Sequence, residues 1–314
     1  GLSSLDAFLP LGMQRPLTVT GWLRPWWSAL AATPVVGHQP VLAGSRRAWA
    51  IWELAGRGSE EALVINWWST FPVWRPQAGL VLAHGGHQLL ADGTDGAVVP
   101  ESQVPSLRAL AGATRPPDAL LRGLDDALGA ARAERVVTAA LAPDLFYQRV
   151  FVDGLENSPR VAALYLPGLD IATGLEPLPA GISGLLVRQT LESVDRLLAE
   201  PELQAFDTIL LAIDRGRRSG DSTVAGRVLL WRRDGACQVG AEAAGEPLTP
   251  AQLGAAAARA VGLPQSAELP APPTCRWPGA GLSLDTFGSR PVEDTSRDRS
   301  SEEYLEQLQS LGYL

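Results

Sequence analysis

Two aspartates stand where an α/β sheet would place a ligand. Asp170 ends the apolar run at residues 161–170, and Asp214 ends the run at 208–214. Carboxylates with imidazole partners ligate divalent metals well, but two carboxylates alone make a poor transition-metal site. Three arginines follow the second run at once, Arg215, Arg217 and Arg218, and form a candidate anion-binding cluster beside a solvated-loop reading. The three histidines are His38, His84 and His87. His84 and His87 make an H-x-x-H pair in a glycine-containing turn, half of a metal site, with no cysteine or further histidine nearby in sequence. The pair is read as a solvated loop. Ser69 and Thr70 follow a strand-like run and are read as structural. There is no G-x-S-x-G elbow and no lysine-bearing phosphate loop.

Elements must position these groups. Short apolar runs bounded by turn residues read as strands buried on both faces. Between the two runs, residues 182–200 carry Leu185, Leu186, Leu191, Val194 and Leu197 near one helical face. Strand, helix and strand make a parallel βαβ unit, whose ligands sit beyond the carboxyl ends of the strands. Upstream, residues 46–56 read as a helix, 62–66 and 79–83 as strands, and 67–76 as an aromatic loop. Residues 101–111 and 118–132 read as helices, and 133–156 as a long helix with a break at Pro143. Downstream come a strand at 226–232 and a helix at 249–261 with Pro250 in its first turn. Residues 262–299, rich in Pro, Gly and Ser, read as an extended tail over the domain. Ser300 with Glu303 caps a short final helix.

Composition narrows the function classes. The chain has 314 residues with 46% hydrophobic content, enough for a substantial core. A formal charge of −8 argues against nucleic acid as a partner. All 26 basic residues are arginine. No apolar run approaches the ~20 residues of a membrane span. Eight of the ten tryptophans precede residue 75. Trp49 and Trp52 read as core. Trp22, Trp26 and Trp27 share one helical face and form a candidate protein or membrane-interface contact. Cys237 and Cys275 leave the redox compartment open.

In order and spacing, several stretches resemble the alkaline phosphatase superfamily, in its type I phosphodiesterase/nucleotide pyrophosphatase branch. Residues 46–52 (RRAWAIW) and 64–72 (VINWWSTFP) resemble that branch's "RRxxAIW … VGWWATWP" stretch. Residues 164–170 (LYLPGLD) resemble its "LYFxGID" strand, and 209–216 (ILLAIDRG) its "VIVVSDHG" strand. Residues 302–314 (EEYLEQLQSLGYL) resemble its C-terminal tail. The resemblance implies an α/β three-layer sandwich with a mostly parallel central sheet. It implies a body at residues 1–261 and a tail at 262–314. It also implies two divalent metal ions, typically zinc, held by Asp and His, and a Thr or Ser nucleophile.

Residue by residue, this chain keeps only part of that set. The two family aspartates fall on Asp170 and Asp214. The three family histidines fall on Gly174, Arg215 and near Ser222, none of which replaces a histidine ligand. The segment that would carry the first aspartate and the nucleophile is expected upstream of Gly1, and a central strand with it. Upstream sequence or a partner chain is then expected to fill the sheet. The resemblance therefore implies a degenerate, non-catalytic structural or binding subunit, with Asp170 and Asp214 as vestigial positions paired to the arginines. No cofactor is expected. Other protein subunits are the expected partners, in a complex lying peripherally on a bacterial membrane. The competing expectation is a metal-dependent phosphoesterase or phosphodiesterase with zinc or another divalent ion.

Overall fold

The structure is a computed structural model. It describes residues 13–14, 39–40, 43, 48–56, 61–73, 79–169, 171, 178–213, 227–235, 250–270 and 283–290. Trp22, Trp26, Trp27, His38, Asp170, Gly174, Asp214, Arg215, Arg217, Arg218, Ser222, Cys237 and Cys275 lie outside the described residues, as does the final helix.

Two short strands, β1 (Met13–Gln14) and β2 (Gln39–Pro40), pair antiparallel. Helix α1 (Ile51–Gly56) leads into β3 (Ala62–Trp67), and β4 (Gly79–Ala83) follows. Ala62, Leu63, Val64 and Ile65 are all buried, so both faces of β3 are covered. Gly79 makes the β3–β4 pairing possible. Its φ is +93°, and a Cβ there would lie 2.2 Å from the Ala62 carbonyl oxygen.

Helix α2 (Gly86–Asp92) and strand β5 (Val98–Val99) come next. A helical region follows: α3 (Val104–Ala113), α4 (Asp118–Leu128), α5 (Ala130–Val136) and α6 (Ala142–Leu155). Gly129, at φ 78°, separates α4 from α5. The break expected at Pro143 is absent. A π turn at Val137–Leu141 widens the helix just ahead of the proline, and α6 continues from it. A wider turn relieves the clash of a proline ring with the carbonyl four residues back.

Strand β6 (Val161–Leu164) closes the described central sheet, whose order is β5-β4-β3-β6. β3 runs parallel to both β4 and β6, while β5 runs antiparallel to β4. Helix α6 packs against β3, where Gly154 meets the Leu63 side chain and leaves no room for a Cβ. Helices α7 (Ala180–Leu198) and α8 (Pro201–Gln204) then lead to β7 (Thr208–Ile213). β7 pairs antiparallel with β8 (Arg227–Arg232), and α9 (Pro250–Ala260) packs on that pair through Leu210, Leu230, Ala256 and Ala260.

The architecture is thus α/β with a mixed central sheet of four strands. The expected mostly parallel sheet is corrected on this point. Among the described residues β7 pairs with β8 alone, so the βαβ unit does not close into parallel pairing with β6. Nor is β7 buried on both faces: Ile213 is 49% exposed. An apolar run marks a strand, but the number of neighbours decides its burial.

Beyond α9, β9 (Gln265–Ser266) pairs parallel with β10 (Ser283–Leu284). Arg290 then enters the core. Its Nε lies 3.2 Å from Glu53 Oε1, and its Nη1 donates to the Ala43 carbonyl. Both side chains of this ion pair are buried. Trp52, expected in the core, is buried there as well.

Candidate functional site

The carboxyl ends of β3, β4 and β6 meet at one rim, where ligands bind in parallel sheets. Asn66 organises it. Its φ of 58° is left-handed, a region asparagine tolerates better than most residues, and the β3–β4 register shifts at this point. The Asn66 side-chain amide donates to the Tyr165 carbonyl beyond β6, at 3.0 Å. Its oxygen accepts from the Gly85 N–H beyond β4, at 2.8 Å. One side chain therefore ties the ends of all three parallel strands.

Thr70 makes a second tie. Its hydroxyl donates to the Trp67 carbonyl and accepts from the His84 N–H at 2.9 Å. This use of Thr70 matches its structural reading. The His84 ring stacks on Trp68, with centroids 4.0 Å apart and planes 21° from parallel. Tyr165 completes a three-ring group, 5.6 Å from Trp68. Burial pushes the His84 pKa down to about 3, so the imidazole is neutral at physiological pH.

The solvated-loop reading of His84 and His87 is therefore corrected. His84 is buried because an aromatic stack shelters it. His87 sits in the first turn of α2, half-buried, with its ring edge on Phe146. Burial lowers its pKa, and a hydrogen bond to the Ala111 backbone opposes the shift. The His87 N–H donates to the Tyr147 hydroxyl at 3.2 Å.

Asp144, one residue after Pro143, reaches the loop that follows β6. Both carboxylate oxygens accept from the Gly168 N–H, at 3.0 and 3.1 Å. Burial pushes the Asp144 pKa up to about 8, against the smaller opposing effect of that hydrogen bond. Gly168 is required at this contact. A Cβ there would lie 2.4 Å from Asp144 Oδ2 and 2.7 Å from the Ala140 carbonyl oxygen, in the π turn. Asp144 is thus a latch on the segment leading to Asp170. π turns recur at functional sites.

The rim is a polar framework turned inward. Asn66, Thr70 and Asp144 spend their donors and acceptors on the strand ends. Among the described residues no group of three or more His, Cys, Asp or Glu side chains is placed to hold a metal ion. Sequence reasoning missed Asn66, Asp144, Tyr147 and Gly168. The available signal was Pro143-Asp144 in a helical stretch, which reads as a helix start. No protein-family model, curated protein or solved structure matches this chain.

The buried groups set a pH dependence. Asp144 titrates in the folded chain at about 8, above its ordinary 3.8. Between those values the folded chain holds a proton that the unfolded chain has lost. Stability from this group falls as pH rises through the window, by at most ~1.4 kcal/mol per pH unit. His84 acts oppositely, costing stability as pH falls from 6.5 toward 3. From pH 6.5 to 8, only Asp144 of the two titrates. Urea midpoints should fall across that interval, by on the order of 1–2 kcal/mol of stability, and Asp144→Asn should flatten the slope. A parental slope of zero would place Asp144 among ordinary ionised carboxylates.

Proposed function

We propose that this chain is a non-catalytic structural or binding subunit built on a degenerate alkaline phosphatase-like α/β fold. In this reading the central sheet belongs to a three-layer sandwich. The subunit works within a larger protein complex, and the Trp22, Trp26 and Trp27 face contacts a partner or a membrane interface. Among the described residues no helix is long and apolar enough to cross a membrane.

One observation carries the reading. At the described strand ends, Asn66, Thr70 and Asp144 are committed to internal hydrogen bonds that tie the segments together. A phosphoester hydrolase of this type needs instead an open cluster of anionic and imidazole ligands facing the substrate. The sequence agrees, since Gly174, Arg215 and Ser222 stand where the resemblance expects histidines. Asp170 and Asp214 then serve as partners for Arg215, Arg217 or Arg218.

The test is elemental mass spectrometry of the purified protein, with hydrolysis of bis(p-nitrophenyl) phosphate measured on the same sample. Less than a tenth of an equivalent of zinc or manganese, and background hydrolysis, are expected. Two tightly bound ions per chain together with turnover would sink the proposal and establish the phosphodiesterase alternative.

A further inference from the structure

Residues 283–290 run along the surface and end in the core. Of these eight residues, Arg290 alone is buried. At the opposite end, β10 is joined to β9 over two residues, and the Ala267 N–H donates to the Leu284 carbonyl at 3.0 Å. Between the two ends, the exposed Thr286 hydroxyl donates to Glu268 Oε1 at 2.7 Å and accepts from the Gly288 N–H at 2.9 Å. A segment with so little burial is expected to open before the body of the fold does.

From Arg290, two routes lead to the strand-end rim. The first is backbone. The Ala43 carbonyl accepts from Arg290 Nη1, and the Ala43 N–H donates to the Phe71 carbonyl at 2.8 Å. Ala43 and Phe71 are both buried. The second route passes through α1. Glu53, paired with Arg290, follows Trp52, whose ring meets Trp67 edge-on with centroids 5.9 Å apart. Trp67 and Phe71 bracket the turn that carries Trp68 and Thr70, and these two residues hold His84. Left to itself this turn is strained. Asn66 and Ser69 have φ of 58° and 56°. Non-glycine residues persist in the left-handed region where their surroundings impose it.

We propose that residues 283–290 form a strap whose buried residue, Arg290, sets the rim turn at residues 66–71, so that lifting the strap loosens the rim while the central sheet stays folded. Coupling of this kind needs contiguous neighbours with two discrete arrangements. Here the arrangements are strap seated and strap lifted. In the seated state Arg290 fixes Ala43 and Glu53, and through them Phe71 and Trp67. In the lifted state the turn loses both supports, and with them the backing for its left-handed residues. The opposite side of the rim is tied separately, by Asp144 on the Gly168 N–H, and neither route from Arg290 passes through that contact. The strap therefore governs one side of the rim and spares the other. It acts whether or not the rim turns over a substrate.

Residue-resolved hydrogen exchange on the full chain, in urea below the unfolding midpoint, tests this. The Ala267 amide reports on the strap, and the Ala43 and His84 amides report on the rim turn. Gly168 and Ile171 report on the other side of the rim, and Val64 and Ile65 on the sheet. In the parent, Ala267, Ala43 and His84 should exchange through one opening with equal urea dependence, at least about tenfold faster than Val64 and Ile65. Thr286→Val removes the surface tie and touches neither the core nor the rim. It should speed all three reporters at least about threefold and leave Gly168, Ile171, Val64 and Ile65 at their parental rates. Arg290→Met should speed Ala43 and His84 at least about tenfold more than Gly168 and Ile171. If that variant does not fold, the exposed Thr286 variant decides alone. The proposal is overturned if Thr286→Val speeds Ala267 while Ala43 and His84 keep their parental rates, which would make the segment a passive covering. It is overturned equally if the three reporters exchange only together with Val64 and Ile65, or if Thr286→Val moves none of them.

Discussion

Arg290→Ala is expected to destabilise the protein by about 3–5 kcal/mol, read as a drop in the urea midpoint at constant slope. The reason is the company Arg290 keeps. It is buried against Glu53, and its Nη1 donates to the Ala43 carbonyl. Removing the guanidinium takes this counter-charge away from a buried carboxylate. Glu53 also accepts from the Ala50 N–H on its second oxygen, at 2.8 Å. One backbone donor does not replace a charge. The expected remedy distinguishes this account from simple loss of packing. Arg290→Met with Glu53→Gln removes both charges and keeps most of the volume. The pair should recover at least half of the loss, because an apolar replacement of a buried ion pair is often near neutral. If the double variant is as unstable as the sum of its parts, the cost lies in shape rather than in charge.

Gly168→Ala should be of similar size, about 3–5 kcal/mol, and should act through geometry. An added Cβ falls within 2.4 Å of Asp144 Oδ2 and 2.7 Å of the Ala140 carbonyl. The second contact is backbone inside a π turn and has little freedom to retreat. Overpacking alone costs about 1–3 kcal/mol. Losing the two hydrogen bonds to a buried carboxyl adds about 1–3 kcal/mol. The loop after β6 is expected to lift away from α6, which a loss of hydrogen-exchange protection at Gly168 and Ile171 would report. The Ile171 N–H bonds to the Pro167 carbonyl in the parent, so it serves as a local gauge. An alanine variant with parental stability and protection would mean that the contact is looser than the structure shows.

Much of the fold could be read from the sequence, and the reasons are local. Gly79–Ala83 was expected as a strand at its observed bounds, because a short apolar run between turn residues has few other outcomes. β3, β8 and α9 were located to within a residue or so for the same reason. What failed was non-local. The shelter of His84 comes from Trp68 and Tyr165, on the segments that follow β3 and β6, and no spacing rule joins those positions. Asp144 contacts Gly168 across 24 residues, and an acid in a helix is ordinarily read as facing solvent. The partner of β7 was misread because an apolar strand fits parallel and antiparallel neighbours alike. The site residues read from the sequence, Asp170, Asp214 and the arginines after it, lie outside the described residues. The described rim rests on Asn66 and Asp144, which carry no motif.

The ion pair between Glu53 and Arg290 also orders events in time. The two residues are 237 positions apart. A chain made at roughly 5–20 residues per second needs about 10–50 s to cover that distance. β3, β4 and β6 are made within that interval, while Glu53 waits for Arg290. The nascent protein therefore carries an unfinished seam for most of its synthesis, and the arrival of one arginine closes it.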